Sequence, residues 1–449
     1  MVAGSVMMPA LVADMMGAEQ ANQYAPRKTH FSPKARRVIF INLSGGVSHL
    51  DTFDHKPQLY RDHGKEIAKG DHPEIQNRPG YERVFLKTPQ WQFKRYGQCG
   101  KEVSSLFPEV ARCVDDIAFI NSMHTSHSNH YNATLGMHTG SFTVTRPSIG
   151  AWVSYGLGTE NQNLPSFIVI APHSPYAGGQ VWGSDFLPGA HQGTRVVPGS
   201  NPVPNITPRV SSKLQKLELA ALRRRNQQHL AKQPANPELA ARMRAFETAF
   251  GMQMAVPEAF DFTRESGATH DLYGLKPGQN KGFGWQCLAA RRLAERGVRF
   301  IELIHTGSSG NWDSHGNMMD HERLAKQVDR PIYGLLTDLK QRGLLDDTLI
   351  WWGSEFGRTP TAETKDGRDH NPEGFTMWLA GGGTKGGFRY GSTDDYGYYA
   401  AENKVHIHDL HATLLHALGL DHERLTYRYA GRDFRLTDVE GNVVHQLFA

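Results

Sequence analysis

The stretch "VRFIELIHTGSSGNWDSHG", residues 298–316, joins an apolar, β-branched run to a polar loop. Such a run, bounded by Gly and polar residues, is typical of a buried strand. The stretch "FGWQCLAARRLAERG", residues 283–297, precedes it and has a helical pattern, with Gly297 where a helix C-cap is expected. A helix, a buried strand and a polar loop in this order predict one unit of a parallel α/β sheet.

The same pattern recurs along the chain on both sides of this unit. Five further apolar runs predict strands, at residues 38–43, 117–120, 164–172, 347–353 and 374–382. Helical patterns separate several of them, including residues 321–345 and 408–420. We therefore predict the α/β class, with a mostly parallel central sheet covered by helices on both faces.

Residues with metal-binding side chains adjoin these predicted strands. Ligands of α/β sheets bind beyond the carboxyl ends of the strands, so side chains from separate segments can meet there. The chain has 23 His, many of them in short clusters beside Asp, Asn and Gly. The candidates at this edge are His49, Asp51, His130, Asp313, His315, Glu355, Asp369 and His370. Their convergence would supply the several nitrogen and oxygen donors that a divalent ion requires.

Each candidate also has an interpretation without a metal. Asp313 could cap a turn, and Glu355 could pair with Arg358. His370 could form a structural hydrogen-bonded pair with Asp369. A further set near a predicted helix start is interpreted as helix caps and surface groups: His406, His408 and His411.

The amino-acid composition limits the kinds of partner that we expect this protein to bind. The formal net charge is only +4 and no long basic run occurs, so we expect no nucleic-acid partner. Beyond the N-terminus, no stretch reaches the ~18 apolar residues of a membrane span. The 3 Cys are odd in number and not spaced as CxxC, which excludes a disulfide framework.

The N-terminus is apolar and rich in small residues up to Glu19, as in the core and cleavage zone of an export signal. We expect residues 1–34 to be the remnant of such a signal and a linker, with a twin-arginine stretch lost upstream. A plain N-terminal helix is the alternative. The protein is then expected to be periplasmic or otherwise exported. Residues 35–449 would form a single domain with insertions at about 51–97 and 172–280.

Six motifs in order resemble those of the DUF1501 family. They are "RRVIFINLSGGVSHLDTFD", "NSMHTSHSNHYNATLGMHTG", "NWDSHG", "DDTLIWWGSEFGRTP", "GRDHNPEGFTMWLAGGGTKGG" and "HDLHATLLHALGLD". The resemblance runs from about residue 34 to the C-terminus. That family is exported, abundant in planctomycete-type bacteria and often described as sulfatase-like. It resembles a divergent branch of the alkaline phosphatase and sulfatase superfamily, which implies an alkaline-phosphatase-like three-layer sandwich.

The resemblance also implies roles for single residues. A Ser-Asp-His-Gly motif of the superfold matches residues 354–357, where Glu355 keeps a carboxylate and Phe356 replaces the histidine. An Asp-x-His pair matches Asp313 and His315, and a late histidine matches His370. The sulfatase nucleophile position falls on His130, so ordinary sulfatase chemistry with a Cys or Ser is not implied.

These matches lead to an expected metal centre. One site would use Asp313, His315, Glu355 and His370, and a second, reshaped site could use His130, His49 or Asp51. The ion would be Zn, Mn or Fe if imidazole and carboxylate share the site, and Ca or Mg if oxygens dominate.

The expected function is that of an exported metal-dependent hydrolase acting on anionic esters, either a small sulfate or phosphate ester or a sulfated glycan. His130 or a nearby hydroxyl, Ser128 above all, would be the nucleophile or general base. Arg358 or Arg368 would neutralise the anion. The alternative is a non-catalytic exported binding or assembly protein that retains the superfold with a degenerate metal site. A weaker third possibility is a carbohydrate-binding role for some of the eight Trp.

Overall fold

The apolar run of residues 38–43 lies at the centre of a large sheet in the computed structural model. The structure describes residues 25–67, 84–204, 206, 210–232, 237–362 and 366–449. Within these residues the sheet has nine strands. They are β1 Arg37–Asn42, β2 Ile117–His124, β3 Phe167–Ile170, β4 Thr194–Val196, β5 Phe300–Ile304, β6 Thr348–Gly353, β7 Phe375–Ala380, β8 Arg389–Tyr390 and β9 Val405–His406.

The strands lie in the order β8-β2-β7-β6-β1-β5-β3-β4, and β9 also pairs with β2. Every neighbouring pair is parallel except those of β7, which is antiparallel to both β6 and β2. The parallel strands therefore end at one edge of the sheet, and β7 begins there. The loops after β1, β2, β5 and β6 and the segment before β7 meet at this edge, which we call the rim.

Helices cover both faces, because side chains alternate along each buried strand. Val38 and Phe40 of β1 belong to one apolar cluster, and Ile39 and Ile41 belong to the other. The described helices are α1 Pro57–Arg61, α2 His130–Thr139, α3 Ile149–Leu157, α4 Ser212–Lys232, α5 Pro237–Ala259, α6 Gly267–Leu272, α7 Phe283–Glu295, α8 Met319–Gln341 and α9 Ile407–Ala417. Helices α7 and α8 share the cluster of Ile39, and α2, α3 and α9 share that of Val38. The predicted α/β class and mostly parallel sheet are confirmed.

Short elements fill the connections. The remaining strands among the described residues are Glu66–Ile67, Val84–Leu86, Phe93–Tyr96, Lys101–Ser104, Gly357–Arg358, Thr361–Ala362, His370–Asn371, Ser392–Thr393, Ala400–Glu402, Tyr427–Tyr429 and Arg432–Phe434. Short 3-10 helices are Val110–Asp116, Gly178–Trp182, Gly189–His191, Phe262–Arg264, Leu345–Asp347 and His445–Leu447. No helix of the described residues is both long and apolar enough to cross a membrane.

The predicted segment boundaries compare with the structure as follows. Residues 1–24 of the expected export signal lie outside the described residues, whereas the linker contacts the domain: the Lys34 amide donates to Ala417 O at 2.8 Å. The expected insertion at 172–280 contains α4 to α6 but also β4, an edge strand of the main sheet. A three-residue strand that includes Thr and Arg is too short and polar to be distinguished from a loop by periodicity. The three cysteines are free.

Candidate metal centre

Four residues from three separate segments converge at the rim. His130 is the first residue of α2, Asp313 and His315 lie in the loop after β5, and His370 precedes β7. One ligand atom from each of the four lies within 4.8 Å of the others. Gly45, in the turn after β1, permits this close approach, because a Cβ there would lie 2.7 Å from the Asp313 amide nitrogen. Its φ of +113° also favours glycine.

The three imidazoles direct their Nε2 atoms at the same carboxylate. His315 Nε2 and His370 Nε2 lie 2.9 Å and 3.2 Å from Asp313 Oδ1. His130 Nε2 lies 3.2 Å from Asp313 Oδ2. The Nε2 atoms of His315 and His370 are themselves only 2.8 Å apart. The four donors thus surround a single small volume.

This donor set fits a divalent cation. His130 Nε2 is buried and makes no well-directed hydrogen bond within the described residues. Two facing imidazole nitrogens share at most one proton between them, whereas a cation can accept a lone pair from each. Three imidazoles and a carboxylate together match the ligand preference of Zn, Mn or Fe, and oxygen-preferring Ca and Mg fit less well.

Other groups fix the opposite nitrogen of two of these rings. His130 Nδ1 lies 2.6 Å from Glu355 Oε1, and His370 Nδ1 lies 2.7 Å from the backbone oxygen of Ser128. His315 Nδ1 lies 3.7 Å from Asp369 Oδ1. Partners of this kind hold a ligating histidine in the tautomer and orientation that present the other nitrogen to the metal.

Glu355, which the sequence predicted as a ligand, lies behind His130 and outside the converging group. Its side chain is 1% exposed and accepts hydrogen bonds from the Gly45 amide at 2.9 Å and from Ser354 Oγ at 2.9 Å. Burial alone would raise the pKa of Glu355, but the hydrogen bond from His130 and the charge of that ring outweigh burial and lower it. The geometry suits Glu355 to orient His130.

Arg358 is fully buried beside Asp313, contrary to the expectation that it meets an anionic substrate. Its Nη2 lies 2.6 Å from Asp313 Oδ1 and also donates to Gly45 O, while its Nε donates to Gly46 O at 2.8 Å. The guanidinium has 0% exposure. A side chain enclosed in this way can hold the Asp313 carboxylate, but it cannot contact a substrate without rearrangement.

His49 and Asp51 do not join the group. Asp51 is buried and pairs with Arg368 Nε at 2.7 Å and with Ser48 Oγ at 2.5 Å. His49 Nε2 lies 2.8 Å from Gly397 O. Arg368 also has 0% exposure, so the same argument excludes it as an anion contact in this arrangement. Among the residues that the structure describes, one group of potential ligands is found, and the expected second site has no counterpart.

Burial and neighbouring charges together favour the metal-binding protonation state of Asp313 and of His370. Burial opposes ionisation of Asp313, but its close contacts with three histidines and the charge of Arg358 hold its pKa well below the usual range. Burial lowers the pKa of His370 to about 4 despite the hydrogen bond to Asp313. For His130, burial lowers the pKa, but Asp313 and Glu355 outweigh it and raise the pKa above the ordinary value.

Two aromatic rings pack near the group, and one of them, Tyr176, carried no signal in the sequence. Tyr176 stacks on His130 with ring centroids 4.4 Å apart, and its hydroxyl accepts a hydrogen bond from Asn311 Nδ2 at 3.0 Å. Phe356 lies against His130 at 4.7 Å and against His370 at 4.6 Å. A tyrosine in a Gly/Pro-rich loop has no local pattern that links it to a site whose nearest member, His130, lies 46 positions earlier in the chain.

The sequence was compared with protein families and curated proteins. A family model described as "Protein of unknown function (DUF1501)" matches residues 35–448. The chain belongs to the DUF1501 family. Membership confirms the family expected from the six motifs. No curated protein matches this DUF1501 chain significantly.

Several solved structures resemble this DUF1501 protein distantly. The lipoteichoic acid synthase LtaP from Listeria monocytogenes is 10% identical, covering 94% of this chain and 80% of that one, with a TM-score of 0.40. An alkaline phosphatase superfamily protein from Vibrio parahaemolyticus is 10% identical, covering 92% and 76%, with a TM-score of 0.36. The PsFucS1 sulfatase from Pseudoalteromonas sp. is 12% identical, covering 92% and 72%, with a TM-score of 0.35. Similarity at this level supports no inference about activity.

Proposed function

We propose that the protein is an exported metal-dependent hydrolase of anionic esters, sulfate or phosphate. The observation that carries the proposal is the convergence of three imidazole Nε2 atoms on the Asp313 carboxylate. A divalent ion held there by His130, Asp313, His315 and His370 would act as a Lewis acid toward the ester and would lower the pKa of a bound water.

The residues around the four ligands hold the ligand side chains in place and set their charge. Glu355 orients His130, the Ser128 carbonyl orients His370, and Arg358 keeps Asp313 ionised and fixed in place. In this proposal Glu355 and Arg358 are positioning residues, in place of the ligand and anion-binding roles that the sequence suggested. Both nitrogens of His130 face carboxylates, which makes this ring a poor candidate for a nucleophile. The better candidate is the hydroxyl of Ser128, a half-buried residue whose carbonyl contacts His370.

One observation favours a second candidate, a non-catalytic exported binding or assembly protein. Phe356 places an aromatic ring against two of the potential ligands, where the resemblance implies a further metal-binding histidine. The converging group itself consists of three histidines and one aspartate, with no Cys among the described residues that could serve as a sulfatase-type nucleophile there. A bound ion would then stabilise the rim without turnover.

The test measures metal content and turnover together. The protein is loaded in turn with Zn, Mn, Ca and Mg, analysed for bound metal, and assayed with 4-nitrophenyl sulfate and 4-nitrophenyl phosphate. We expect His315→Ala to lose both metal and turnover. The exposed His229 of α4 offers a matched control, because His229→Ala should retain both. Bound metal without turnover of either ester would favour the second candidate, and absence of metal binding would reject the hydrolase.

A further inference from the structure

A cavity of about 670 Å³ opens at the rim on the side of β3, β4 and β5. Its walls include Pro172 after β3, Val197 after β4 and His305 after β5, together with the start of α7 at Phe283. It therefore lies beyond the carboxyl ends of three neighbouring strands, where α/β sheets bind ligands. Its volume falls within the usual range for small-molecule pockets.

The polar groups of this cavity are suited to a hydroxylated ligand. Its lining combines amides, hydroxyls and imidazoles, namely Gln286, Gln327, Thr306, Ser309, His173 and His305. The Thr306 hydroxyl oxygen is buried and has no hydrogen-bond partner within the described residues. A rotation of the Thr306 side chain would present this unpartnered hydroxyl to a ligand group in the cavity, which would satisfy it.

The charge of the cavity favours an oxyanion. Lys281 lies on the wall, and no carboxylate is among the lining residues that the structure describes. Gly282 follows Lys281 as the N-cap of α7, a helix of 13 residues, and provides no side-chain cap. The amide groups of the first helical turn add partial positive charge beside the ammonium. Together these groups complement a sulfate, phosphate or carboxylate.

The cavity and the metal group are built on the same two loops. In the loop after β3, His173 lines the cavity, and Tyr176 stacks on His130. In the loop after β5, His305 lines the cavity, and Asp313 belongs to the metal group.

Two hydrogen bonds tie these loops together. The Ser308 amide donates to Ser174 O at 3.1 Å, and Asn311 Nδ2 donates to the Tyr176 hydroxyl at 3.0 Å. Three residue steps separate His173 from Tyr176, a span of at most about 11 Å. A ligand larger than one ring could therefore contact the cavity and the metal group at once.

We propose that this cavity is a subsite for a polyhydroxylated unit that carries an oxyanion, such as a hexose sulfate or hexose phosphate. Binding to the cavity itself does not require the metal. Its role as the subsite next to the hydrolysed ester rests on the proposed function. The subsite would then select substrates with a second anionic group beside the ester.

Calorimetric titration of the full chain with glucose 6-sulfate, glucose 6-phosphate, glucose and inorganic sulfate tests the subsite. Lys281→Met removes the charge and keeps an apolar stem, and Thr306→Val removes the hydroxyl and keeps the shape. We expect each to weaken binding of glucose 6-sulfate about five- to tenfold. Lys276→Met, which removes an exposed lysine outside the cavity, should bind as the unaltered protein does.

Metal content measured on the same samples separates this proposal from the proposed function. His315→Ala should lose metal and still bind glucose 6-sulfate with unaltered affinity. Equal binding by both cavity variants and the unaltered protein would overturn the subsite and leave the hydrolase proposal intact. Loss of sugar binding in His315→Ala alone would place the ligand at the metal group and overturn the subsite as well. If inorganic sulfate binds as tightly as glucose 6-sulfate, the cavity recognises only the anion, and the proposed sugar subsite is overturned.

Discussion

Histidines contact both ends of helix α2, and they do so in opposite ways. At the first residue, the Nε2 atoms of His130, His315 and His370 converge on Asp313. At the last turn, His408 Nε2 lies 2.8 Å from Gly140 O and His411 Nε2 lies 2.7 Å from Met137 O. One set gathers nitrogens around a shared volume, and the other donates N–H groups to the carbonyls at the helix end.

The partner of each ring explains the difference. Glu355 and the Ser128 carbonyl contact Nδ1 of His130 and His370 and so leave Nε2 to face the group. In His408 and His411 the carbonyls contact Nε2, and Nδ1 is buried with no hydrogen-bond partner in the described part of the chain. A cluster of histidines in a sequence therefore does not identify a metal site. The atoms that face each ring decide whether it can act as a ligand.

The largest expected effect comes from the carboxylate at the centre of the first set. Asp313→Asn should weaken metal binding by more than about 100-fold, because it removes the charge that three imidazoles and Arg358 contact. Elemental analysis after dialysis measures the change. Asp409→Asn, a matched change beside the second set, should leave metal content unaltered. Equal metal content in the two variants would contradict the conclusion that only the first set of histidines surrounds a metal site.

A smaller effect is expected from the residue that orients His130. Glu355→Gln retains the shape of the side chain but replaces the charged partner of His130 Nδ1. Metal affinity should fall about 10- to 100-fold, as is usual for partners of ligating histidines. Competition with a chromogenic chelator measures this change. An unchanged affinity would show that the contact between His130 and Glu355 has no part in metal binding.

Substitutions of His408 and His411, the second set, should change the stability of the fold and leave metal content unchanged. His411 has 0% exposure, so His411→Leu leaves the Met137 carbonyl buried without its donor. We expect a loss of about 2 kcal/mol in the free energy of unfolding, measured with urea. His411→Gln, which keeps a donor, should lose less. A metal content below that of the unaltered protein would instead assign His411 to the metal site.

The same histidine should influence the pH dependence of stability. Burial lowers the pKa of His411 from 6.5 to about 3 in the folded chain, so the unfolded chain binds one more proton between these values. Its contribution is full above pH 6.5 and is lost as pH falls towards 3. This single group should add a slope of about 1.4 kcal/mol per pH unit in that window. The free energy of unfolding of His411→Leu should vary less with pH by that amount, and equal slopes would contradict the assignment.

Much of the fold could be predicted because the buried strands carry strong local patterns. The runs at residues 38–43, 347–353 and 374–382 correspond to β1, β6 and β7. The loops after β1, β5 and β6 meet at the rim as the parallel sheet predicted, whereas the segment before β7 reaches it because that strand is antiparallel, an orientation that the pattern did not predict. The metal-ligand assignments themselves stay a prediction until the ion is measured.

The orientation of side chains at the rim could not be predicted from the sequence. Glu355 lies behind His130 and outside the converging group because the Gly45 amide and Ser354 hold its carboxylate there, and the contact with Gly45 joins segments about 310 residues apart. His408 and His411 were expected as caps and surface groups. They do cap a helix, but they are buried, and the helix belongs to a different part of the chain.

Contacts with other segments hold both ends of α2, so this helix can couple motion at one end to motion at the other. Helix termini usually fray and exchange their amide hydrogens fastest. Here the Asn129 side chain accepts from the Tyr131 amide at one end, and α9 holds the carbonyls at the other. Amide exchange should therefore be slower near both ends of this ten-residue helix than at a helix end without such contacts. A C-terminal deletion that removes α9 would free the last turn and loosen the start of the helix, about 15 Å away, where His130 lies.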